Sequence, residues 1–342
     1  MDMTARGSPA TGVVTTVDYH TAGEPFRIVT GGVPALQGAN VAERRRYAAE
    51  HLDHVRQLLV NEPRGHADMY GCFVTAPDDG RGDLGVVFFH NAGYSTACGH
   101  GTIALVTWAL ETGVVPVTGE RTEVTVDAPS GRLRTVATWS DGRVTGVRFT
   151  NVPSFVEATE VAITVHGQPL TVDIAFGGAF YAVVEAAAVG CAVEKGDVPR
   201  LIELGRAITA AIAAQREVVH PQAEHLRDIY GVLFVDNTHR EGDVLHQRNV
   251  AVFADGAVDR SPTGSGVSAR LALLDGGALP RGADLVTTGL VGLDFTGRVV
   301  GDAEVAGRRA VITEVEGAAY RTGTHEFTLD PNDPVGTGFL LR

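Results

Sequence analysis

The sequence predicts an α/β protein of the α+β kind, built from two similar halves that each carry one buried helix. Forty-two of its 342 residues are glycine and only 6% are aromatic, a balance typical of many tight turns between short strands. A Gly-x-Gly sequence followed by an apolar run occurs twice, within 95–110 and within 261–277. Thr263 in the second copy follows Cys98 in the first by 165 residues, which indicates an internal duplication.

The first half is predicted to contain strands, one amphipathic helix and one apolar helix. Its strands are expected at 13–19, 26–30, 67–77, 83–93, 122–129, 132–140 and 143–152. Residues 40–60 predict a single helix that Asn40 caps. The buried face of that helix is expected to hold Val41, Ala48, Leu52, Val55 and Leu59. The apolar helix begins near Cys98 and ends at Gly113, a residue suited to a helix C-terminus.

The second half is predicted to repeat this order from Pro153 onwards. Its strands are expected at 161–165, 170–174, 179–185, 229–236 and 245–253, with more strands after the second Gly-x-Gly helix. A long helix is expected at about 199–218. The first half is therefore predicted to span 11–152 together with 331–342, and the second half to span 153–330.

The two Gly-x-Gly helices are expected to face each other across one cleft, with Cys98 and Thr263 on opposite sides. Free backbone N–H groups at a helix N-terminus bind a small carboxylate, and glycines let the ligand approach closely. The positive helix end is expected to lower the pKa of Cys98 and so make it a base or nucleophile, with His100 as a donor or cation beside it. Both copies also fit a loose Gly-x-Gly-x-x-Ala dinucleotide pattern, but turn-like residues precede them where that pattern needs a strand.

Composition and charge argue against several classes of function. The net charge of −13 disfavours a nucleic-acid partner and an anionic membrane surface. No apolar run approaches a membrane span and the first residues lack the pattern of a signal peptide, so a cytoplasmic location is expected. Cys72 and Cys191 are interpreted as structural apolar residues, and neither a disulfide framework nor a metal site is expected. His51 and His54 are expected to be solvated.

Seven segments resemble, in order, the motifs of the proline racemase family. They are DYHTAGEPFRIV (18–29), RGHADMYG (64–71), STACGHGTIAL (95–105), IAFGGAFYAVV (174–184), DRSPTGSGVSARLA (259–272), FTGRVVG (295–301) and GTHEFTLDPNDPVGTGFLL (323–341). The resemblance implies a fold of diaminopimelate-epimerase-like type, in which each half is a mixed β-sheet curled around a central helix and the ligand lies between the halves. It implies a small-molecule substrate, proline or hydroxyproline, and no cofactor, and it leaves a homodimer open.

This family includes proline racemases, 4-hydroxyproline 2-epimerases and trans-3-hydroxy-L-proline dehydratases. Its racemases carry cysteine at both helix N-termini; Cys98 matches the first position, whereas Thr263 stands at the second. A threonine hydroxyl does not readily ionise near neutral pH, and the Cys/Thr pair resembles the dehydratases. The resemblance therefore implies dehydration of trans-3-hydroxy-L-proline to Δ1-pyrroline-2-carboxylate and water, with Cys98 removing the Cα proton. A proline racemase or 4-hydroxyproline 2-epimerase is the alternative, followed by a non-catalytic imino-acid-binding protein.

Further site positions follow from the resemblance alone. It implies that the substrate carboxylate and ring nitrogen are bound by Gly99, His100, Gly264 and Ser265. It also implies that Asp259 contacts the ring ammonium and that Tyr70 and Phe253 form walls of the pocket. Without the family, Asp259 is equally well explained as a turn or cap residue, and the two aromatic residues as core. His20 and Glu24, in HTAGEP, receive no role.

Overall fold

The computed structural model of the protein describes residues 12–341. Residues 1–11 and 342, which include the outer ends of the predicted first half and most of the segment inspected for a signal peptide, lie outside this range. The described residues contain five α-helices: α1 (Val41–His51), α2 (Asp53–Val60), α3 (Gly99–Glu111), α4 (Val198–Ala213) and α5 (Gly264–Leu274). Across 12–341, no helix combines the length and the apolar character that crossing a membrane requires.

Twenty β-strands accompany these helices in the described range. Those before residue 151 are β1 (Val14–Thr21), β2 (Glu24–Gly31), β3 (Tyr70–Thr75), β4 (Leu84–His90), β5 (Gly93–Tyr94), β6 (Arg121–Ala128), β7 (Gly131–Ser140) and β8 (Arg143–Thr150). Those after it are β9 (Phe155–Val165), β10 (Gln168–Phe176), β11 (Phe180–Glu185), β12 (Val219–His220), β13 (Ala223–Arg227), β14 (Ile229–Glu241), β15 (Val244–Phe253), β16 (Ala257–Val258), β17 (Leu285–Thr288), β18 (Asp294–Val305), β19 (Arg308–Gly317) and β20 (Ala319–Phe327).

Eighteen of the strands are joined by hydrogen bonds into one continuous mixed sheet, and β12 and β13 form a separate hairpin. Most neighbours are antiparallel, whereas the parallel pairs are β2 with β3, β4 with β6, β11 with β14, and β15 with β17. Parallel pairs need long crossover connections, which the helices and intervening strands supply. The mixed sheet confirms the predicted fold class.

Each Gly-x-Gly helix is enclosed by strands, as predicted. Every residue of α3 from Gly99 to Leu110 is buried, and the helix contacts β1, β2, β8 and β20. The helix α5 is buried from Gly264 to Ala269 and contacts β9, β10, β18 and β19. Because both helices are apolar over most of their surface, strands on several sides are needed to cover them.

The last strand lies beside the first one. Strand β20 pairs with β1 in antiparallel register, with Val14 opposite Phe327 and Thr21 opposite Ala319. Strand β19 pairs with β8 in the same sense. Residues 319–327 therefore join the sheet around α3, although the predicted division counts them with the second half. The division into two halves stays a prediction.

The predicted helix over 40–60 is wrong in one respect, because it is broken at Leu52 into α1 and α2. Asn40 caps α1 as expected, accepting the N–H of Glu43 at 2.9 Å, and the five predicted core positions are all buried. The guanidinium of buried Arg56, in α2, donates to the carbonyl oxygen of His90 at 2.8 Å and so ties α2 to the end of β4. Helix α4 ends at Ala213 rather than near 218, because the chain turns into the β12–β13 hairpin.

Candidate active site

The N-termini of α3 and α5 meet backbone against backbone. A β-carbon placed on Gly99 would lie 2.6 Å from the Cα atom of Gly264, and one placed on Gly264 would lie 2.9 Å from the Cα atom of Gly99. The ring of Phe149 closes the contact from the side. Only glycine permits this approach, since real β-carbons do not come so close to backbone atoms. The structure thus brings together the two helix starts that the sequence aligned.

Cys98 is the N-cap residue of α3, and 5% of it is exposed. Its Sγ accepts the backbone N–H of Gly101 at 3.3 Å, which satisfies one of the free donors of the helix end. The ring of His100 lies beside the sulfur, with Nε2 at 3.5 Å and Nδ1 at 3.6 Å from Sγ. The thiol therefore has both a helix-end donor and an imidazole within reach.

Thr263 holds the equivalent place before α5 in a different conformation. Its φ is +61°, an uncommon value for a β-branched residue and a sign of local strain. Its side chain does not cap the helix; instead Oγ1 donates to Oδ2 of Asp259 at 2.8 Å. The hydroxyl proton is thus already engaged by a carboxylate.

Asp259 connects the two helix ends. Its Oδ1 accepts the N–H of Ser261 at 2.8 Å, and its Oδ2 lies 3.7 Å from Nδ1 of His100. Burial alone would raise the pKa of Asp259, but His100 and the bonds from Ser261 and Thr263 outweigh burial and lower it. An ionised carboxylate therefore contacts both the Thr263 hydroxyl and the imidazole that lies beside the Cys98 sulfur.

The expected lowering of the Cys98 pKa is wrong for the structure as it stands. Burial raises the pKa of the thiol well above its ordinary value, although the N–H of Gly101 acts in the opposite direction. The negative charges of Asp259 and Glu24 raise it further. The helix end lowers the pKa of the Cys98 thiol, as expected, but the removal of water by burial raises that pKa by more.

The two predicted wall residues, Tyr70 and Phe253, lie close to each other, and Tyr70 also lies close to His100. The Tyr70 ring meets the His100 ring edge-on at a centroid distance of 5.0 Å and lies 5.9 Å from the Phe253 ring. Ser265, at the start of α5, contacts the hydroxyl of Tyr181 through Oγ at 2.8 Å. All nine sequence-predicted site residues thus belong to one connected, buried cluster.

Three polar residues of this cluster are not among those predicted from the sequence: Ser95, Tyr230 and Tyr181. The hydroxyl of Tyr70 contacts Ser95 and also lies 3.0 Å from the hydroxyl of Tyr230, whose ring stacks on Phe253. Tyr181, the third, lies within the quoted segment 174–184. Burial raises the pKa of Tyr70, Tyr181 and Tyr230, so all three keep their protons near neutral pH. The strand positions of Tyr181 and Tyr230 look like ordinary core, and the only sequence signal was that Ser95 and Tyr181 lie within segments that resemble the family.

A cavity of about 310 Å³ lies beside this cluster, and Ser95 and Tyr230 are among the residues that line it. Cys98, Asp259 and Thr263 themselves are almost fully covered. Water is therefore largely excluded from the sulfur and the carboxylate, which strengthens electrostatic interactions between them.

The remaining cysteines and the helical histidines lie apart from the cluster. Cys72 is fully buried in the core and Cys191 is buried in the second half, and neither forms a disulfide. His51 and His54 are exposed, as expected. Within residues 12–341, no three His, Cys, Asp or Glu side chains are grouped as metal ligands would be.

Comparison with known proteins gives consistent relatives over almost the whole chain. A family model described as proline racemase matches residues 16–340. A trans-3-hydroxy-L-proline dehydratase of Bacillus cereus is 46% identical over 330 residues, which cover 96% of this chain and 98% of the relative. A 3-hydroxyproline 2-epimerase of Burkholderia multivorans is 45% identical over 331 residues, with coverage of 96% and 98%.

A solved structure shares the fold. The hydroxyproline epimerase of Agrobacterium vitis, crystallised with trans-4-hydroxy-L-proline, superimposes with a TM-score of 0.88 and is 31% identical. The match covers 96% of each chain. The two proteins therefore have the same overall fold.

Proposed function

The chain belongs to the proline racemase family, and from that premise we propose that it dehydrates trans-3-hydroxy-L-proline to Δ1-pyrroline-2-carboxylate and water. One observation carries the proposal: a buried thiol with an adjacent imidazole faces a threonine whose proton is donated to Asp259. Such a site has one group suited to remove a proton and no second thiol to return one to the opposite face.

Substrate binding follows from the paired helix ends. The N–H groups at the starts of α3 and α5, around Gly99 and Gly264, suit the substrate carboxylate because they point outward from positive helix ends. Asp259 suits the ring ammonium, and its lowered pKa keeps it ionised for that purpose. Tyr70 and Phe253 wall the ring and exclude water.

Cys98 is proposed as the base that removes the Cα proton. His100 lies close enough to Sγ to take the thiol proton, and the substrate ammonium would offset the charge of Asp259 that disfavours the thiolate. The N–H groups that hold the carboxylate also stabilise the enolate-like charge as the Cα–H bond breaks. Proton removal is therefore coupled to substrate binding.

Elimination then breaks the C3–O bond. The electron pair of the former Cα–H bond forms the C2=C3 double bond, and the C3 hydroxyl leaves and gains a proton to become water. Transfer of a proton from the ring nitrogen to C3 converts the enamine into Δ1-pyrroline-2-carboxylate. Since the Cα hydrogen and the hydroxyl share a ring face in the trans isomer, Cys98 can pass its proton to the departing hydroxyl.

Thr263 is proposed to orient the ring and to hold Asp259 rather than to act as an acid. Its hydroxyl donates to Oδ2 of Asp259 at 2.8 Å, and that bond would have to break before the proton could serve elsewhere. A threonine hydroxyl also lacks the acidity of a thiol near neutral pH.

Epimerisation at Cα is the second candidate, favoured by the 45% identical relative named 3-hydroxyproline 2-epimerase. Incubation in D₂O separates the two reactions. An epimerase would place deuterium at Cα of recovered substrate and return both stereoisomers, whereas the dehydratase would yield the cyclic imine. A non-catalytic imino-acid-binding protein is tested by Cys98→Ala, because a pure binder would keep its function.

The proposal is tested by incubating the purified protein with trans-3-, cis-3- and trans-4-hydroxy-L-proline and L-proline. Imine formation from the trans-3 compound alone is expected, without added metal or nucleotide. Product only from the 4-hydroxy compound would overturn the assignment. A cytoplasmic location is proposed too, supported by three unpaired cysteines, while the homodimer stays a prediction.

A further inference from the structure

Two carboxylates from the first half hold the backbone on either side of Asp259. Glu24, at the start of β2, is completely buried, and its Oε2 accepts the backbone N–H of Arg260 at 2.7 Å. Asp68 precedes β3, and its Oδ1 accepts the backbone N–H of Val258 at 3.2 Å. The side chain of Arg260 lies between the two acids, with Nη1 3.5 Å from Glu24 and Nη2 3.3 Å from Asp68.

The remaining N–H groups of this segment are bonded as well. Asp259 donates its own N–H to the carbonyl oxygen of Ala251 at 3.0 Å, and Ser261 donates to Oδ1 of Asp259 at 2.8 Å. Every N–H from Val258 to Ser261 therefore has an acceptor. With its backbone fixed on both sides, Asp259 can direct its carboxylate to His100 and Thr263.

We infer that Glu24 and Asp68 are positioning residues, which clamp residues 258–260 of the second half and thereby hold Asp259 against the Cys98 helix. HTAGEP and RGHADMYG, the segments that contain them, otherwise lack a role for these acids. The inference rests on the proposed function for its kinetic readout.

Both acids of this clamp accept an N–H through one carboxyl oxygen. Burial, followed by the charge of Asp259, raises the pKa of Glu24 well above its ordinary range, and Arg260 offsets only part of this rise. The carbonyl oxygen of a carboxyl group accepts a hydrogen bond whether or not the group is ionised, so the clamp does not depend on the charge of Glu24. The other oxygen of Glu24, Oε1, has no hydrogen-bond partner within residues 12–341. Oε2 alone thus carries the observed contact with Arg260.

The test compares Glu24→Ala with Glu24→Gln. Alanine leaves the N–H of Arg260 without its acceptor, and we expect kcat/KM for imine formation to fall roughly 10- to 100-fold. Glutamine keeps a carbonyl oxygen at this position and should restore activity to within about threefold of the wild type. If Glu24→Ala fails to fold, Asp68→Ala and Asp68→Asn provide the same comparison for the carboxylate that accepts the N–H of Val258.

A double-mutant cycle separates positioning from general damage. If the clamp acts through Asp259, Glu24→Ala should cost at most about twofold more in an Asp259→Asn background. The matched control is Asp236→Ala: Asp236 also accepts one backbone N–H, that of Val193 at 2.6 Å, while its Oδ1 lacks a partner in the described range. Asp236 lies in the middle of β14, six residues after Tyr230, and contacts none of the described residues around Cys98 and Asp259, so its substitution should leave activity unchanged.

Hydrogen exchange gives a readout that needs no enzymatic activity. The backbone amides of residues 258–261 and of Thr263 should exchange faster in Glu24→Ala than in the wild type or Glu24→Gln, whatever substrate the protein takes. Two results would overturn the clamp. One is full activity in Glu24→Ala and Asp68→Ala when both variants are folded. The other is that Glu24→Ala lowers kcat/KM by the same factor in the Asp259→Asn background as in the wild type. A wild-type protein that forms no imine while the exchange pattern holds would contradict the proposed function and leave the clamp standing.

Discussion

The two helix N-termini share a backbone plan but differ in the residue that precedes the helix. Cys98 has extended backbone, with φ at −154°, and its side chain caps α3 through the N–H of Gly101. Thr263 has φ at +61°, leaves α5 without a side-chain cap and turns its hydroxyl to Asp259. The same architecture thus presents a thiol that caps its helix on one side and an anchored hydroxyl on the other.

The surroundings of the two ends differ in the same sense. Around Cys98 lie His100 and the aromatic wall that begins with Tyr70, which exclude water from the sulfur. Around Thr263 lie Asp259 and the clamped segment before it. The two helix starts therefore differ in their polar partners: one has a thiol beside an imidazole, and the other has a hydroxyl bonded to a fixed carboxylate. This difference is consistent with the proposed dehydration, which needs one base.

Replacing the thiol should have the largest effect. Cys98→Ser retains a small polar side chain but no group that ionises near neutral pH, so we expect imine formation to fall by at least about 1,000-fold. The rate is measured from the appearance of the cyclic imine. Cys191→Ser is the control, because Cys191 is a free thiol outside the cluster and its loss should leave the rate unchanged. Comparable losses of activity in Cys98→Ser and Cys191→Ser would contradict a specific role for Cys98 in the reaction.

The close contact between α3 and α5 should be disrupted to a similar extent by an added β-carbon on either helix. Gly99→Ala and Gly264→Ala each push a methyl group against the backbone of the opposite helix, at 2.6 Å and 2.9 Å. We expect each substitution to lower the free energy of unfolding by about 2 to 3 kcal/mol, the upper part of the range for overpacking, because the methyl group meets backbone that cannot move aside easily. Denaturant unfolding measures the loss.

Gly119→Ala provides the matched control for this pair, because a β-carbon there would have no atom within 4 Å. Its unfolding free energy should change by less than about 0.5 kcal/mol. Equal stability of all three variants would mean that the helices can separate without cost.

The raised pKa of Cys98 sets the pH dependence of its reactivity. The thiolate is the reactive form, and because burial raises the pKa, the thiolate fraction is small at neutral pH and grows about tenfold per pH unit below that pKa. Alkylation of Cys98 by iodoacetamide should therefore keep accelerating beyond pH 9. Asp259→Asn removes a negative charge that raises the pKa and should move the curve to lower pH. A plateau below pH 8 in the wild type would contradict this assignment.

The features of the fold and the site that could be predicted from the sequence are those that short-range sequence patterns encode. The repeat of Gly-x-Gly helix starts identified Cys98 and Thr263 as equivalent, and the apolar spacing from Val41 to Leu59 identified the buried face of α1 and α2. Each of these patterns can be recognised within a short stretch of chain, where periodicity and capping residues are informative.

Residues that meet only through the tertiary fold could not be found in this way. Tyr70 and Tyr230 are 160 positions apart, and Glu24 reaches Arg260 over 236 positions. The high pKa of Cys98 has the same origin, because burial depends on strands from several parts of the chain.

The smallest expected effect tests the second helix end. Thr263→Ala removes the bond to Asp259 but no reacting group, so we expect dehydration to fall about 10-fold or less, the equivalent of roughly one hydrogen bond. Thr263→Cys should add what the site lacks, a second thiol, and deuterium should then appear at Cα of recovered substrate in D₂O. If Thr263→Ala instead abolishes dehydration while unfolding remains normal, the hydroxyl must take part in the reaction, and the two helix ends would be partners in chemistry rather than a base and its support.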